Sequence, residues 1–391
     1  MTTSPDGTGP LRRLRAIAAT RTAAGLRRQL RPRPAVGSLL DLASNDYLGL
    51  ARDTRVIRAA AEAARIWGAG STGSRLVTGS TELHAELELA LADFLGTEAA
   101  LVCSSGYLAN LAAVATLSGP GTLVVSDQAN HASIVDACRL SRARVVVTPH
   151  GDLAAIERAL ADRPEDTSLV VTDAVFSVDG DLAALPELHR TARRHGALLV
   201  VDEAHALGVV GAGGRGCAHL AGLTGEPDVV LTVTLSKSLG AQGGAVLGAP
   251  EVVAHLVDSA RAFIFDTGLA PACAGAALAA LNLVRSAPDL AVRARQRTAT
   301  VARLALEAGL DAPTPAAAVV PVTLGTPERA LRGAAICADH GVRVGCFRPP
   351  SVPVGRSCLR LTGRADLTPN DLDRVAEALR AVSKELVREC D

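Results

Sequence analysis

The chain has 391 residues, of which 48% are hydrophobic, and its 40 basic and 40 acidic side chains cancel to a net charge of zero. That apolar content excludes a mainly disordered chain, and the neutral balance argues against a nucleic-acid binder, which needs surplus Lys and Arg. No uninterrupted apolar stretch reaches the roughly 18 residues of a membrane span, so neither a membrane nor a nucleic acid is an expected partner.

In chain order, residues 11–34 are rich in Arg and Leu and contain no acid, which superficially suggests a transit peptide. The segment also lacks Ser, and an amphipathic N-terminal helix is the expectation. From about 38 to 202, short apolar runs alternate with helical patterns. Strands are predicted at 100–103, 122–125, 144–147, 169–172 and 198–201, with helices at 83–95, 108–117 and 185–195. The strand runs are continuously apolar, the mark of strands covered on both faces, and the alternation predicts a parallel sheet in an α/β domain. Strands at 229–234 and 244–247 follow. Beyond about 256 the chain turns Ala-rich, with helices predicted at 270–286 and 289–308. Strands at 319–324, 342–346 and 358–362 precede a last helix from Pro369 with Thr368 as its cap. The expected division is an N-terminal helical arm (1–40), a large α/β domain (41–284) and a small α+β domain (285–391).

Eight cysteines are dispersed among apolar neighbours, with no C-x-x-C pair and no zinc-like spacing with His. They read as small buried hydrophobes of a cytoplasmic protein, and no metal site is expected. Lysine is more informative: only Lys237 and Lys384 occur, every other basic residue being Arg. Coding bias explains the general excess of Arg. A Schiff base requires a deprotonable amine, which guanidinium cannot supply, so amine chemistry has two candidates.

Lys237 lies in TLSKSLG (234–240), directly after a buried-type strand. It could simply cap the strand in solvent, but its Ser, Thr and Gly neighbours suit an anion: Thr234 and Ser236 can donate to a phosphate, and the glycines permit close approach. A second cluster, DEAH (202–205), also ends a strand, where α/β sheets place their ligands. Asp202 could be a helix cap and His205 a core histidine; beside Lys237, the pair fits a site in which an acid keeps a pyridine nitrogen protonated. Two weaker signals are the strand-to-helix turn SSGYLAN (104–110) and His131, which opens another helix and could stack on a planar group.

Three motifs, SNDYLGL (44–50), DEAH (202–205) and TLSK (234–237), in that order, make the chain resemble the α-oxoamine synthases. These are pyridoxal-phosphate enzymes of fold type I, like aspartate aminotransferase, and the resemblance runs over essentially the whole chain. It implies a homodimer. The run GSTGSRLVTG (70–79) most resembles the branch that condenses L-alanine with a pimeloyl thioester, on CoA or a carrier protein, in biotin synthesis. A sister synthase using glycine or serine with another acyl-CoA, or a non-catalytic scaffold of the same fold, is the alternative. The resemblance assigns Lys237 to the Schiff base and to moving the substrate proton, Asp202 to the pyridine nitrogen and His205 to the phenolic oxygen. His131 would stack on the ring, Ser177 would lie near the phenolic oxygen, and Gly106, Tyr107 and Thr234 would line the cofactor and its phosphate. Arg27, Asn45, His131, Arg360 and Thr362 fall at substrate positions, Arg360 taking the amino-acid carboxylate. One departure is FDTG (265–268), where the family commonly has a Ser-Thr pair; ionised Asp266 cannot donate to phosphate.

Overall fold

A computed structural model describes residues 10–386 apart from residue 29. The continuously apolar runs become a seven-stranded sheet. Across it lie Ala99–Cys103, Gly244–Gly248, Val229–Thr234, Leu198–Asp202, Thr167–Asp173, Thr122–Asp127 and Arg144–Thr148. All run parallel except Gly244–Gly248, which is antiparallel to both neighbours. The central strands have no exposed face, so their Val and Leu residues need no polar alternation.

Small side chains set the helix packing. Pro271–Ser286 lies against Thr54–Trp67 so closely that a Cβ on Gly275 would stand 2.7 Å from the Ala63 Cβ. With aromatics at only 2% of the chain, close approach of Ala-lined helices provides the packing density that large rings provide elsewhere. Thr54–Trp67, not anticipated from the pattern, starts at Asp53, whose side chain accepts the Arg55 N–H.

The second layer is a three-stranded antiparallel sheet of Gly345–Phe347, Ser357–Thr362 and Val319–Gly325. Its core joins the helices Asp289–Glu307, Pro327–Asp339 and Pro369–Leu386. Thr368 caps the last of these as expected: its hydroxyl accepts the Asp371 N–H while the Asp371 carboxylate accepts the Thr368 N–H. The strand expected at 342–346 is two pieces. Val342–Arg343 pairs in parallel with Leu40–Asp41, and Gly345–Phe347 pairs with Ser357–Thr362.

The N-terminal segment forms a helix, Arg12–Ala23, but none of its residues is buried, and Leu11, Leu14 and Ile17 face solvent. The apolar side chains of this helix therefore meet no covering segment among the described residues. Five of the cysteines are buried as expected, Cys273 and Cys346 are half-buried, and Cys390 lies outside the described residues. No described helix is long and apolar enough to cross a membrane.

Candidate active site

Parallel strands deliver their last residues to one edge of the sheet. Asp173 and Asp202 end neighbouring strands in register with each other, and Asp202 is in register with Thr232 on the next. The chain leaving Val229–Thr234 then places Lys237 over this edge. Asn45, His131, Ser177, His205, Lys237 and Arg360 line one cavity of about 860 Å³ between the two layers. Lys384, by contrast, is exposed on the last helix.

Lys237 Nζ is 2.9 Å from Nε2 of His205, whose Nδ1 is 2.6 Å from the Tyr47 hydroxyl. Hydrogen-bond logic assigns the protons. An ammonium donates to Nε2, so Nδ1 carries the ring proton and donates to Tyr47, which in turn donates to Oδ1 of Asn45 at 3.2 Å. The ring is kept neutral: burial drives its pKa well down, and the charges of Lys237, Arg360 and His131 add to the effect. Burial also lowers Lys237 to about 8, against the opposing pull of Asp202 and Asp173. An amine that sheds its proton near neutrality is what nucleophilic chemistry needs.

Asp202 is fixed by two donors. Its Oδ2 accepts from Asn110 Nδ2 at 2.7 Å and its Oδ1 from the Ala204 N–H at 2.9 Å. The Thr232 hydroxyl donates to Asn110 Oδ1, which fixes that amide's orientation, and Asn110 also donates to Ser133. Ser133 can then donate to His131 Nδ1 at 2.7 Å, holding the ring at the start of the helix Ala132–Ser141. Burial lowers the His131 pKa, with Asp202 opposing. Asp173 accepts the His131 N–H, and its pKa is pushed well up by burial and then by the neighbouring Asp202.

Arg360, 3% exposed, donates from Nε to the Ser177 carbonyl at 2.6 Å and from Nη1 to Asn45 Oδ1 at 2.9 Å, above the Phe347 ring. Its guanidinium is thereby held in one plane at the cavity wall. Outside the lining of that cavity, at the ends of Ala99–Cys103 and Val229–Thr234, Ser105 caps the helix Gly106–Leu117. A Cβ on Gly106 would lie 2.8 Å from the Thr234 Cβ, so glycine lets the helix N-terminus meet the strand end. Thr234 also contacts Ser236 Oγ at 2.7 Å, grouping hydroxyls beside free helix N–H groups.

Three expected positions come out differently. Thr362 is fully buried, with its hydroxyl committed to the Leu42 and Ser44 carbonyls, so it anchors the segment bearing Asn45 and does not face the cavity. Arg27 is exposed and does not line the cavity; its neighbour Arg28 reaches Ser351 on the rim. Tyr107, expected to line the cofactor, is 41% exposed and donates to Asp136 at the rim. Asp266 accepts from Ser104, so its charge is engaged within the chain. Sequence reasoning gave no role to Tyr47, Asn110, Asp173 or Glu203. Two of these were visible in outline, Asp173 as another acid ending a strand and Asn110 one helical turn beyond the Gly106 bend.

A buried amine, a fixed carboxylate, a neutral imidazole wall and a hydroxyl-lined helix N-terminus fit an aldehyde-bearing pyridine phosphate, the missing Cβ of Gly106 bringing the helix N–H groups up to the Thr234 hydroxyl. The model of the aminotransferase class I and II family matches residues 38–379. The chain belongs to that family. It is 60% identical over 376 residues to an 8-amino-7-oxononanoate synthase from Mycolicibacterium gilvum, covering 96% of this chain and 98% of that protein. Among solved structures it resembles a serine palmitoyltransferase from S. paucimobilis with bound PLP-myriocin aldimine, at 30% identity and TM-score 0.90, over 98% of this chain and 100% of that one. An 8-amino-7-oxononanoate synthase from Francisella tularensis aligns at 27% identity and TM-score 0.77, over 90% of this chain and 99% of that one.

Proposed function

We propose that this chain is a pyridoxal-phosphate acyltransferase that condenses L-alanine with a pimeloyl thioester, giving 8-amino-7-oxononanoate, carbon dioxide and the free thiol. The observation that carries this reading is Lys237: a buried amine with its pKa lowered to about 8, touching a neutral His205 beside a fixed Asp202. The match to an 8-amino-7-oxononanoate synthase at 60% identity supports the choice of alanine. When bound, the cofactor supplies an electron sink for the substrate Cα. Lys237 would anchor it and carry the Cα proton, Asp202 would face its ring nitrogen, and His205 its phenolic oxygen. His131 would cover the ring with Ser177 nearby, while Gly106 and Thr234 would hold the phosphate.

Arg360 would pair with the amino-acid carboxylate through the guanidinium N–H groups not taken by Ser177 and Asn45, Nη2 lying at a long 3.5 Å from the Tyr47 hydroxyl. In the overall change, alanine loses its Cα proton, a Cα–C bond forms to the thioester carbonyl and the C–S bond breaks. Loss of the carboxylate as carbon dioxide and reprotonation of Cα complete the balance. We place the enzyme in the cytoplasm as a homodimer, acting in biotin synthesis, with the acyl donor on CoA or a carrier protein.

A second reading, a sister synthase using serine or glycine, is favoured by the TM-score of 0.90 to a serine palmitoyltransferase. Borohydride reduction of the cofactor-loaded protein, with peptide mapping, tests the anchor. A pyridoxyl adduct on Lys237 is expected; labelling of Lys384 alone, or of neither, would return the chain to the scaffold reading. Comparing carbon dioxide release and product mass with alanine, serine and glycine then separates the two synthases.

A further inference from the structure

A second ionic contact lies on the wall of the same cavity, away from Lys237. His150, in the turn after Arg144–Thr148, places Nδ1 3.0 and 3.1 Å from the two carboxylate oxygens of Asp127. Its Nε2 is 2.9 Å from Oδ2 of Asp181. A neutral imidazole has one N–H and one lone pair, and a lone pair facing a carboxylate at this distance is repulsive. Both contacts are attractive only if both nitrogens donate, so the geometry calls for imidazolium. The ring packs edge-on against Phe176 with centroids 4.3 Å apart, and its side chain is 33% exposed, so protons reach it from solvent.

Each acid belongs to a different part of the site. Asp127 ends the strand that leads to His131 and also accepts the Ala129 and Gly151 N–H groups. Asp181 closes the turn 176–181, in which the Phe176 N–H donates to the Asp181 carbonyl and the Gly180 N–H to the Phe176 carbonyl. That turn offers the Ser177 carbonyl to Arg360 at 2.6 Å and the Asp179 carboxylate to Arg356 at 3.0 Å. His150 therefore ties the strand end bearing His131 to the turn that seats Arg360.

We propose that His150 is a positioning residue for the amino-acid carboxylate site: as imidazolium it clamps Asp127 to Asp181 and so fixes the turn on which Arg360 rests. This rests on the reading of Arg360 as the carboxylate receptor. The charged groups facing the ring are Asp127 from the strand and Asp181 from the turn. Asp152, on the following helix, is turned to the Ala155 N–H, and Asp136 and Arg139 on the cavity wall pair with each other. Burial pulls the ring's pKa down, but the hydrogen bonds of Asp181 and Asp127 outweigh it, and the net direction is upward from 6.5. A folded-state value above the unfolded one means the clamp is complete below about 6.5 and is lost as pH rises through the raised value.

The test uses the full-length protein and two readouts. The first is hydrogen exchange of the 176–182 amides without substrate, from about pH 6 to 9, corrected for the intrinsic pH dependence of exchange. The second is the KM for L-alanine of the cofactor-loaded enzyme over the same range. Protection of the turn is expected to fall with rising pH while KM rises about three- to tenfold, as for loss of a partly exposed charge-assisted contact. His150→Gln, with one donor end, should show the unprotected turn and the raised KM already at low pH. His150→Lys, a charge that can donate to both acids, should restore both and remove the pH dependence across this interval. Equal protection and equal KM in the wild type and His150→Gln at about pH 6 would overturn the proposal. The exchange arm needs no turnover, so absence of condensation would count against the enzymatic reading alone, whereas active enzyme with an indifferent turn would count against the clamp alone.

Discussion

Replacing Tyr47 by phenylalanine tests whether His205 is held as a neutral donor toward the phenol. Tyr47 is fully buried, and the ring volume is unchanged, so no cavity opens. Only the oxygen is lost, which accepts Nδ1–H of His205 at 2.6 Å, lies 3.2 Å from Asn45 Oδ1 and takes a long 3.5 Å contact from Arg360 Nη2. Asn45 keeps its donor from Arg360 and loses little. The His205 N–H has no such reserve, and a buried unpaired donor costs about 1–3 kcal/mol. Equilibrium denaturation of Tyr47→Phe, His205→Asn and the double variant closes a thermodynamic cycle, in which a coupling of about 1–2 kcal/mol is expected for groups in direct contact. There is also a chemical consequence. Freed from Tyr47, the ring can move its proton to Nε2, which then no longer accepts from Lys237. The ammonium loses an acceptor, and the lysine should titrate below about 8. The pH dependence of pyridoxal-phosphate uptake by apo-protein reads that shift. Additive denaturation energies within about 0.5 kcal/mol, together with an unmoved uptake profile, would refute the assigned tautomer.

Further outcomes follow from the same geometry. Uptake of pyridoxal phosphate by wild-type apo-protein should rise with pH through about 8, where the Lys237 amine becomes neutral. Lys237→Arg should yield no pyridoxyl adduct at position 237 after borohydride reduction at any pH, because guanidinium stays protonated. Gly106→Ala puts a Cβ 2.8 Å from that of Thr234 and should weaken cofactor affinity by about tenfold or more in a fluorescence titration, while the helix itself gains a better helix former. Glu203 is fully buried and raised to about 7, burial outweighing the N–H groups of Ala218 and Cys217 that it accepts. The fold thus retains a proton that the unfolded chain releases near 4.5, and wild-type stability should decline as pH rises from there to about 7. Denaturant curves of Glu203→Gln should lack that decline; curves parallel to wild type would count against a titrating Glu203.

Much of this architecture was legible in the chain itself. Continuous Val and Leu runs marked the strands of the large sheet because burial on both faces removes any need for alternation, and Thr368 with Pro369 marked the start of the last helix. Lys237 stood out by scarcity, and Asp202 with His205 by ending a strand. Expectations failed where the outcome depended on a partner segment. The Arg12–Ala23 helix forms but finds nothing among the described residues to cover its apolar side chains, and the expected strand at 342–346 divides because its two ends pair with different strands. Thr362 turns its hydroxyl to the carbonyls of Leu42 and Ser44, a choice made by the strand's neighbour and not by its own composition.

The chain alone therefore determined which residue types could do the chemistry and which strand ends carried most of them, since periodicity and composition record local burial. It did not determine their partners. Tyr47 meets His205 across 158 positions, Asn110 meets Asp202 across 92, and Arg360 meets Asn45 across 315. Strand order brings those groups together, and no local pattern encodes it. Proton positions, the neutral His205 and the lowered Lys237 depend on burial and on charges from distant segments, so they exist only once the sheet and the small layer have closed around them.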